Sequence, residues 1–323
     1  MKILSHIPFP CLDEHIATIA PNATLDIAAD DFFKNFAGEE TDASTGTSDG
    51  GYTCLLTAPI GVPQLEETLQ TFPEIRWVHV FGTGMDTFPV KQVGDRILTC
   101  ARGASAVPIS EWVMAMLLAY EKQLTEIWLK EPPEVWHQTN QLGSLAGKTL
   151  ALYGFGGIGQ AIAKRALAFD MQVKAMTRQS KIDVDGVEQV FDLHALVEDA
   201  DHIALAAPAT ASTREVIGSD VLAAVKPGAH LVNIARGSLI NAGALREALD
   251  NETLAMASLD VVEPEPLPDG HWMFEHPRVR LSPHISWSDP NAFTKLLDSF
   301  LENLRRYIHD EPLLGRVDVD AGY

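Results

Sequence analysis

The chain reads as an α/β protein with a doubly wound, mainly parallel sheet and a second, smaller α/β domain. Three observations predict this. From Lys148 onward, short apolar runs alternate regularly with helical patterns, as parallel strands joined by crossover helices do. Residues 1 to about 100 repeat the alternation on a smaller scale. The 323 residues are 46% hydrophobic, and single cores stop growing near roughly 250–300 residues, so two domains are expected.

In the first hundred residues, strands are expected at Lys2–Ser5, Thr53–Thr57, Trp77–Phe81 and Arg96–Cys100, with a helix between Pro63 and Phe72 and a weaker one around Leu12–Ala20. The Thr-, Ser-, Asp- and Gly-rich stretch from Gly38 to Gly51 is an exposed connection without chemistry. Phe81-Gly82-Thr83-Gly84-Met85-Asp86 is either a plain turn or a cradle whose backbone N–H groups hold a carboxylate. A long helix begins at Ile109 with Ser110 as N-cap and runs to about Lys130. Pro132, Pro133 and an irregular stretch holding Trp136 follow, so this segment forms a core crossover, a dimer surface or both.

The later strands are expected at Thr149–Tyr153, Gln172–Met176, His202–Ala206, His230–Ile234, Met256–Val261 and Val279–Ser282. An amphipathic helix from Asn291 to Ile308 closes the pattern, and Val317-Asp318-Val319 makes a weak strand or tail.

Lys148 to Arg178 carries the most specific signal. Gly154-Phe155-Gly156-Gly157-Ile158-Gly159 stands between an apolar strand and a helical pattern, the context of a dinucleotide fingerprint. Gly154 permits the tight turn, Gly156 lets the backbone approach a pyrophosphate, and Gly159 lets the helix pack on the strand. The second strand runs into Thr177-Arg178-Gln179-Ser180-Lys181 without the carboxylate that would hold an NAD ribose. NADP(H) is therefore the preferred cofactor, with Arg178 on the 2′-phosphate and Thr177 and Ser180 as hydroxyl donors; NAD(H) stays possible if Arg178 is only a solvated strand-end charge. Pro208, after the strand that begins at His202, joins the cofactor-binding set.

Three polar groups stand just past strand ends, where such sheets bind ligands: Arg236, Glu265 and His284. A histidine held by a carboxylate can protonate a carbonyl oxygen while an arginine fork binds a carboxylate, as reduction of a 2-keto acid requires. Singly, each reads equally as a salt bridge, a turn carboxylate or a packed imidazole. The net charge of −20 argues against nucleic acid or an anionic membrane as partner. The three cysteines, Cys11, Cys54 and Cys100, lack metal-ligand spacing and read as reduced thiols. No metal site is expected, no signal or membrane segment is apparent, and a cytoplasmic location follows.

Together with the glycine motif, Lys226-Pro227-Gly228, Asn233-Ile234-Ala235-Arg236-Gly237, Leu259-Asp260-Val261-Val262-Glu263-Pro264-Glu265-Pro266-Leu267-Pro268 and Ser282-Pro283-His284-Ile285 resemble the D-isomer-specific 2-hydroxyacid dehydrogenases. The resemblance covers almost the whole chain and is strongest from about residue 100 to 310. It implies two Rossmann-like domains, the outer one discontinuous: residues 1–104 with 287–323 as the substrate domain, and 105–286 as the nucleotide domain. It also implies Arg236, Glu265 and His284 as the catalytic set, Asp260 as an acidic group near the nicotinamide, and Thr83 and Gly84 in a loop that holds the substrate carboxylate. Thr177-Arg178-Gln179-Ser180 is similar to members using NADPH, such as glyoxylate and hydroxypyruvate reductases. By the same resemblance the protein is a homodimer, with Trp136 either reaching the neighbouring subunit's substrate site or packing at the interface. Thr83 and Asn241 depart from the usual residues, small and acidic respectively. A second similarity, to the C-terminal-binding-protein co-repressors, implies the alternative of a non-enzymatic NAD(P)-sensing regulator.

Overall fold

In the computed structural model, described for residues 1–28, 50–59, 65–124, 126–132, 142–178, 181–319 and 322, the chain divides into two compact units. One comprises Met1–Ser105 and Pro290–Tyr323, the other Ala106–Asp289.

The first unit holds a parallel five-stranded sheet. Its strands are β1 (Lys2–Ser5), β2 (Thr24–Ile27), β3 (Cys54–Thr57), β4 (Trp77–Val80) and β5 (Ile97–Cys100), in the order β2-β1-β3-β4-β5. Both faces are buried, so the strands read as continuous apolar runs with alternate residues in separate cores: Ile3 and Trp77 enter one, Leu4 and Val78 the other. Helix α1 (Leu12–Ile19) and the C-terminal helix Ala292–Ile308 cover the first face through Ile16, Leu297 and Phe300. Helix α2 (Leu65–Thr71) covers the second through Leu65 and Leu69. β2 escaped prediction because it is four residues long, half-exposed and carries Asp26, which accepts from the Tyr52 hydroxyl at 2.5 Å. Among the described residues the C-terminal tail makes one antiparallel bridge, Arg316 with Thr99. The segment 38–49 of the expected surface connection lies outside the described residues.

The second unit holds a parallel seven-stranded sheet. Helix α3 (Ala106–Glu121) leads into β6 (Thr149–Tyr153), α4 (Gly157–Ala168), β7 (Gln172–Met176), β8 (Val187–Gln189), α5 (Leu193–Val197), β9 (His202–Leu205), α6 (Ser219–Ala224), β10 (Ala229–Asn233), α7 (Ala242–Asp250), β11 (Leu254–Leu259) and β12 (Val279–Leu281). The order β12-β11-β10-β9-β6-β7-β8 reverses between β6 and β9, which makes the carboxyl ends of those strands the topological switch point. Leu150 and Leu152 face one core, and Ala151 faces the other.

Helix α3 corrects two expectations. It starts at Ala106, so Pro108 falls in the first turn, where its missing N–H is not needed. Ser110 is therefore not the N-cap but a buried residue whose hydroxyl donates to the Val107 carbonyl at 2.7 Å. The helix stops at Glu121 rather than near Lys130 because Gln123 adopts φ 49. Its N–H bonds to the Tyr120 carbonyl and that of Leu124 to the Ala119 carbonyl, a Schellman closure without the usual glycine. Glu121 ends the helix inside the protein, 2.6 Å from Lys148 Nζ and 3.1 Å from His202 Nε2. Burial raises its pKa, but the hydrogen bonds from His202 and Lys148 prevail and hold it below the ordinary carboxylate range.

In the first unit, Thr99 Oγ1 accepts from Trp77 Nε1 at 2.8 Å and lies 2.8 Å from His79 Nδ1. Burial lowers the His79 pKa to about 3. The folded value lies below the unfolded one of about 6.5, so the unfolded chain binds this proton first. The stabilising effect is complete above pH 6.5 and is lost as pH falls from there toward 3, with a slope of about 1.4 kcal/mol per pH unit. Urea unfolding followed by tryptophan fluorescence should show a shallower loss of stability between pH 6.5 and 4.5 in His79→Leu than in wild type. Equal slopes would mean that His79 is not kept neutral by the fold.

Candidate active site

The glycine turn follows β6 at the switch point, and three of its glycines answer to different constraints. Gly154 has φ 108, and a Cβ there would lie 2.5 Å from the backbone of Ala206 and Ala207 beyond β9. A Cβ on Gly159 would meet the Gly154 carbonyl oxygen at 2.3 Å. At Gly156, the N-cap of α4, a Cβ would meet nothing within 4 Å. No protein contact demands a glycine there; the open approach to the first-turn N–H groups of Gly157, Ile158 and Gly159 does fit a pyrophosphate. Phe155 packs its ring into the core, which leaves its backbone as the part able to reach a ligand.

Arg178 stands exposed at the tip of β7, next to half-buried Thr177. Its Nη1 donates to Ser212 Oγ at 3.5 Å, in the loop after β9 that begins at Pro208. Neither Thr177 nor Arg178 is acidic, so the tip presents a cation and a hydroxyl where a ribose would lie. Ser180 and Trp136 lie outside the described residues.

Arg236, Glu265 and His284 follow the carboxyl ends of β10, β11 and β12, which are adjacent and parallel. His284 Nδ1 and Glu265 Oε2 are 2.9 Å apart. With the carboxylate as acceptor, Nδ1 carries the hydrogen and Nε2 becomes the atom that exchanges a proton. The other oxygen, Glu265 Oε1, accepts from the Val262 N–H at 3.0 Å, so the carboxylate is oriented by its own loop. Arg236 is extended, at φ −150 and ψ 148, directly before Gly237. A Cβ on Gly237 would lie 2.0 Å from the Val262 carbonyl carbon, so only glycine lets the Arg236 and Glu265 loops approach this closely. Asn233 braces the same turn, donating to the Arg236 carbonyl at 2.8 Å and accepting from the Ala235 N–H at 3.0 Å.

Asp260 is 1% exposed, and its carboxylate faces the loop that carries His284. Oδ1 accepts from Ser282 Oγ at 2.5 Å and from the Ile285 N–H at 2.9 Å; Oδ2 accepts from the Ser286 N–H at 2.9 Å. The His284 N–H reaches the Asp260 carbonyl at 2.9 Å, and Trp287 Nε1 donates to the His284 carbonyl at 2.9 Å. These bonds enclose a residue with φ 54, a conformation that costs a non-glycine residue energy and persists only where its surroundings impose it. Asn233 and Ser282 stood within the quoted motifs without a role assigned to them, and Trp287 was not singled out; hydrogen bonds across strands leave no spacing pattern.

In the other unit, Thr83 Oγ1 donates to the Ala101 carbonyl at 3.3 Å, and a Cβ on Gly82 would press on Pro59 at 2.7 Å. The N–H groups of Thr83 and Gly84 make no backbone hydrogen bond among the described residues, as a carboxylate cradle requires. Asn241, the other departure, caps α7 by accepting from the Ala244 N–H at 2.9 Å.

The NAD-binding domain of the D-isomer specific 2-hydroxyacid dehydrogenases matches residues 114–286, the span that contains the glycine turn, Arg236, Glu265 and His284. The chain belongs to this family. A glycerate dehydrogenase from Methylorubrum extorquens is 30% identical over 78% of this chain and 82% of its own. A glyoxylate reductase from Thermococcus litoralis is 32% identical over 76% and 78%. Among solved structures, an NADPH-dependent glyoxylate/hydroxypyruvate reductase from Sinorhizobium meliloti, crystallised with NADP and sulfate, superposes with a TM-score of 0.79. It is 23% identical and covers 100% of this chain and 99% of its own, which is a likeness of fold. The protein is a nicotinamide-dependent 2-hydroxyacid dehydrogenase. Among the described residues no helix is long and apolar enough to cross a membrane.

Asp260→Asn removes the charge from three hydrogen bonds, each worth about 1.5–3 kcal/mol when the acceptor is ionised. Turnover should fall at least about tenfold, since 1.36 kcal/mol is a factor of ten, while dinucleotide affinity stays within about threefold. Amide exchange at Ile285 and Ser286 should accelerate. Wild-type exchange there, with wild-type turnover, would mean the loop holds His284 without this carboxylate.

Proposed function

We propose that the protein reduces a small 2-keto acid of the glyoxylate or hydroxypyruvate kind to the D-2-hydroxy acid, with NADPH as the preferred reductant. The observation that carries the reading is the 2.9 Å contact between His284 Nδ1 and Glu265 Oε2 at the carboxyl ends of the strands. The names of relatives support the substrate class: beside the glycerate dehydrogenase and the glyoxylate reductase stands a hydroxypyruvate reductase from Thermotoga maritima, 36% identical over 65% of this chain.

When bound, the nicotinamide supplies the hydride that reaches C2 of the keto acid. The residues of the glycine turn would hold the pyrophosphate through backbone N–H groups, Pro208 would border the nucleotide, and Arg178 with Thr177 and Ser180 would take the 2′-phosphate. Arg236 grips the substrate carboxylate with its guanidinium fork and polarises the adjacent carbonyl. By the family resemblance, the backbone N–H groups of Thr83 and Gly84 are further candidates to bind a carboxylate. His284, charged and held through Nδ1 by Glu265, delivers the Nε2 proton to the carbonyl oxygen as C2 gains the hydride. The proton comes from the imidazolium and the electron pair from the hydride, so neutral His284 must be reprotonated before the next turnover. Asp260 acts through the loop it organises. A homodimer belongs to the same reading, with Trp136 either reaching the neighbouring subunit's substrate site or packing at the interface.

Purified protein should oxidise NADPH fastest with glyoxylate or hydroxypyruvate in a panel that also holds pyruvate and phenylpyruvate, and hydroxypyruvate should yield the D-glycerate enantiomer. Absence of turnover with every keto acid, alongside tight dinucleotide binding, would instead fit a sensor. Arg178→Ser should weaken NADPH binding about 10- to 100-fold, the loss of a charge-assisted contact to phosphate, and leave NADH nearly unchanged. An unaltered ratio would remove Arg178 from the 2′-phosphate.

A further inference from the structure

The contact between the tips of β7 and β9 brings together residues 34 positions apart in sequence. In the loop after β9, Thr213 is buried and serves the loop itself: its Oγ1 donates to the Pro208 carbonyl at 2.8 Å and accepts from the Thr210 N–H at 2.8 Å. Thr210 Oγ1 lies 3.0 Å from Ser212 Oγ. Ser212 is exposed, and its Oγ accepts from Arg178 Nη1 at 3.5 Å. A short row of hydroxyls thus leads from a buried anchor to the guanidinium.

We infer that Ser212 is a specificity-determining residue for the dinucleotide, a role that rests on the proposed use of NADPH. A hydroxyl is both donor and acceptor. It accepts from the guanidinium in the structure and can rotate to donate to a phosphate oxygen that the same guanidinium holds. Thr210 Oγ1, 3.0 Å from Ser212 Oγ, can then donate its hydroxyl hydrogen to the rotated group. A carboxylate at this position would act in the opposite sense: it would pair with Arg178 in a fork and set a negative charge against a phosphate monoester that carries nearly two. The neutral side chain is therefore what lets the Arg178 tip select a phosphate, by omitting a repulsive element as much as by adding an attractive one.

Equilibrium titration of the full chain, reading the nicotinamide fluorescence of NADPH and NADH without keto acid, tests this. In Ser212→Glu, NADPH affinity should fall about 10- to 100-fold, as juxtaposed like charges with a competing ion pair demand, while NADH affinity stays within about threefold. Unchanged NADH binding also reports that the variant is folded. Ser212→Ala, which removes only a hydroxyl, should weaken NADPH by no more than about fivefold, the net worth of one hydrogen bond. If Arg178→Ser abolishes the preference for NADPH but Ser212→Glu keeps the wild-type ratio, the role of Ser212 is refuted and the NADPH reading stands. If wild type itself fails to prefer NADPH, both fall together.

Discussion

The carboxylate of Asp260 is the constraint on which the loop carrying His284 depends. Its two oxygens gather Ser282, Ile285 and Ser286, and its carbonyl takes the His284 N–H, so the chain after β12 has to turn through a left-handed residue. That turn brings the imidazole to Glu265. Buried carboxylates are costly unless fully hydrogen-bonded; here every donor comes from one loop, so the compensation for burial is also the device that positions His284. Asp260 and Glu265 both follow β11, and each carboxylate accepts backbone N–H groups. One side chain fixes the histidine's backbone and the other its ring.

Close backbone approach does the comparable work elsewhere in this unit. Gly237 lets the Arg236 turn rest on Val262, and Gly154 lets the nucleotide turn rest on the end of β9. In both places a side chain would occupy space filled by another strand's backbone. Gly156 differs, because its surroundings within the protein are open. The distinction separates glycines that assemble the site from one that no protein contact constrains.

Much of this was legible in the sequence where a local rule governs. Strands buried on both faces appear as apolar runs, and the glycine turn has fixed spacing, so β6, α4 and β7 stood almost where expected. Elements governed by long-range contacts were not legible. β2 and β8 are short edge strands that exist through pairing with β1 and β7. Helix α3 ends in a Schellman turn at Gln123, a residue that gives no stop signal. Arg236, Glu265 and His284 could be picked out as strand-end polar groups, yet only the three-dimensional arrangement brought Glu265 to His284. The hydrogen bonds of Asp260, and those of Ser282 and Trp287, depend on folding distant segments together, and periodicity carries no trace of them.

His284, oriented by Glu265, is the proposed donor of the proton during reduction. Single-turnover hydride transfer in His284→Asn, with enzyme saturated by NADPH and mixed rapidly with keto acid, tests it most directly. The rate should lie about 10²- to 10⁴-fold below wild type, the usual worth of a general acid, with cofactor affinity unchanged. A rate within a few-fold of wild type would contradict it and assign the proton to another donor.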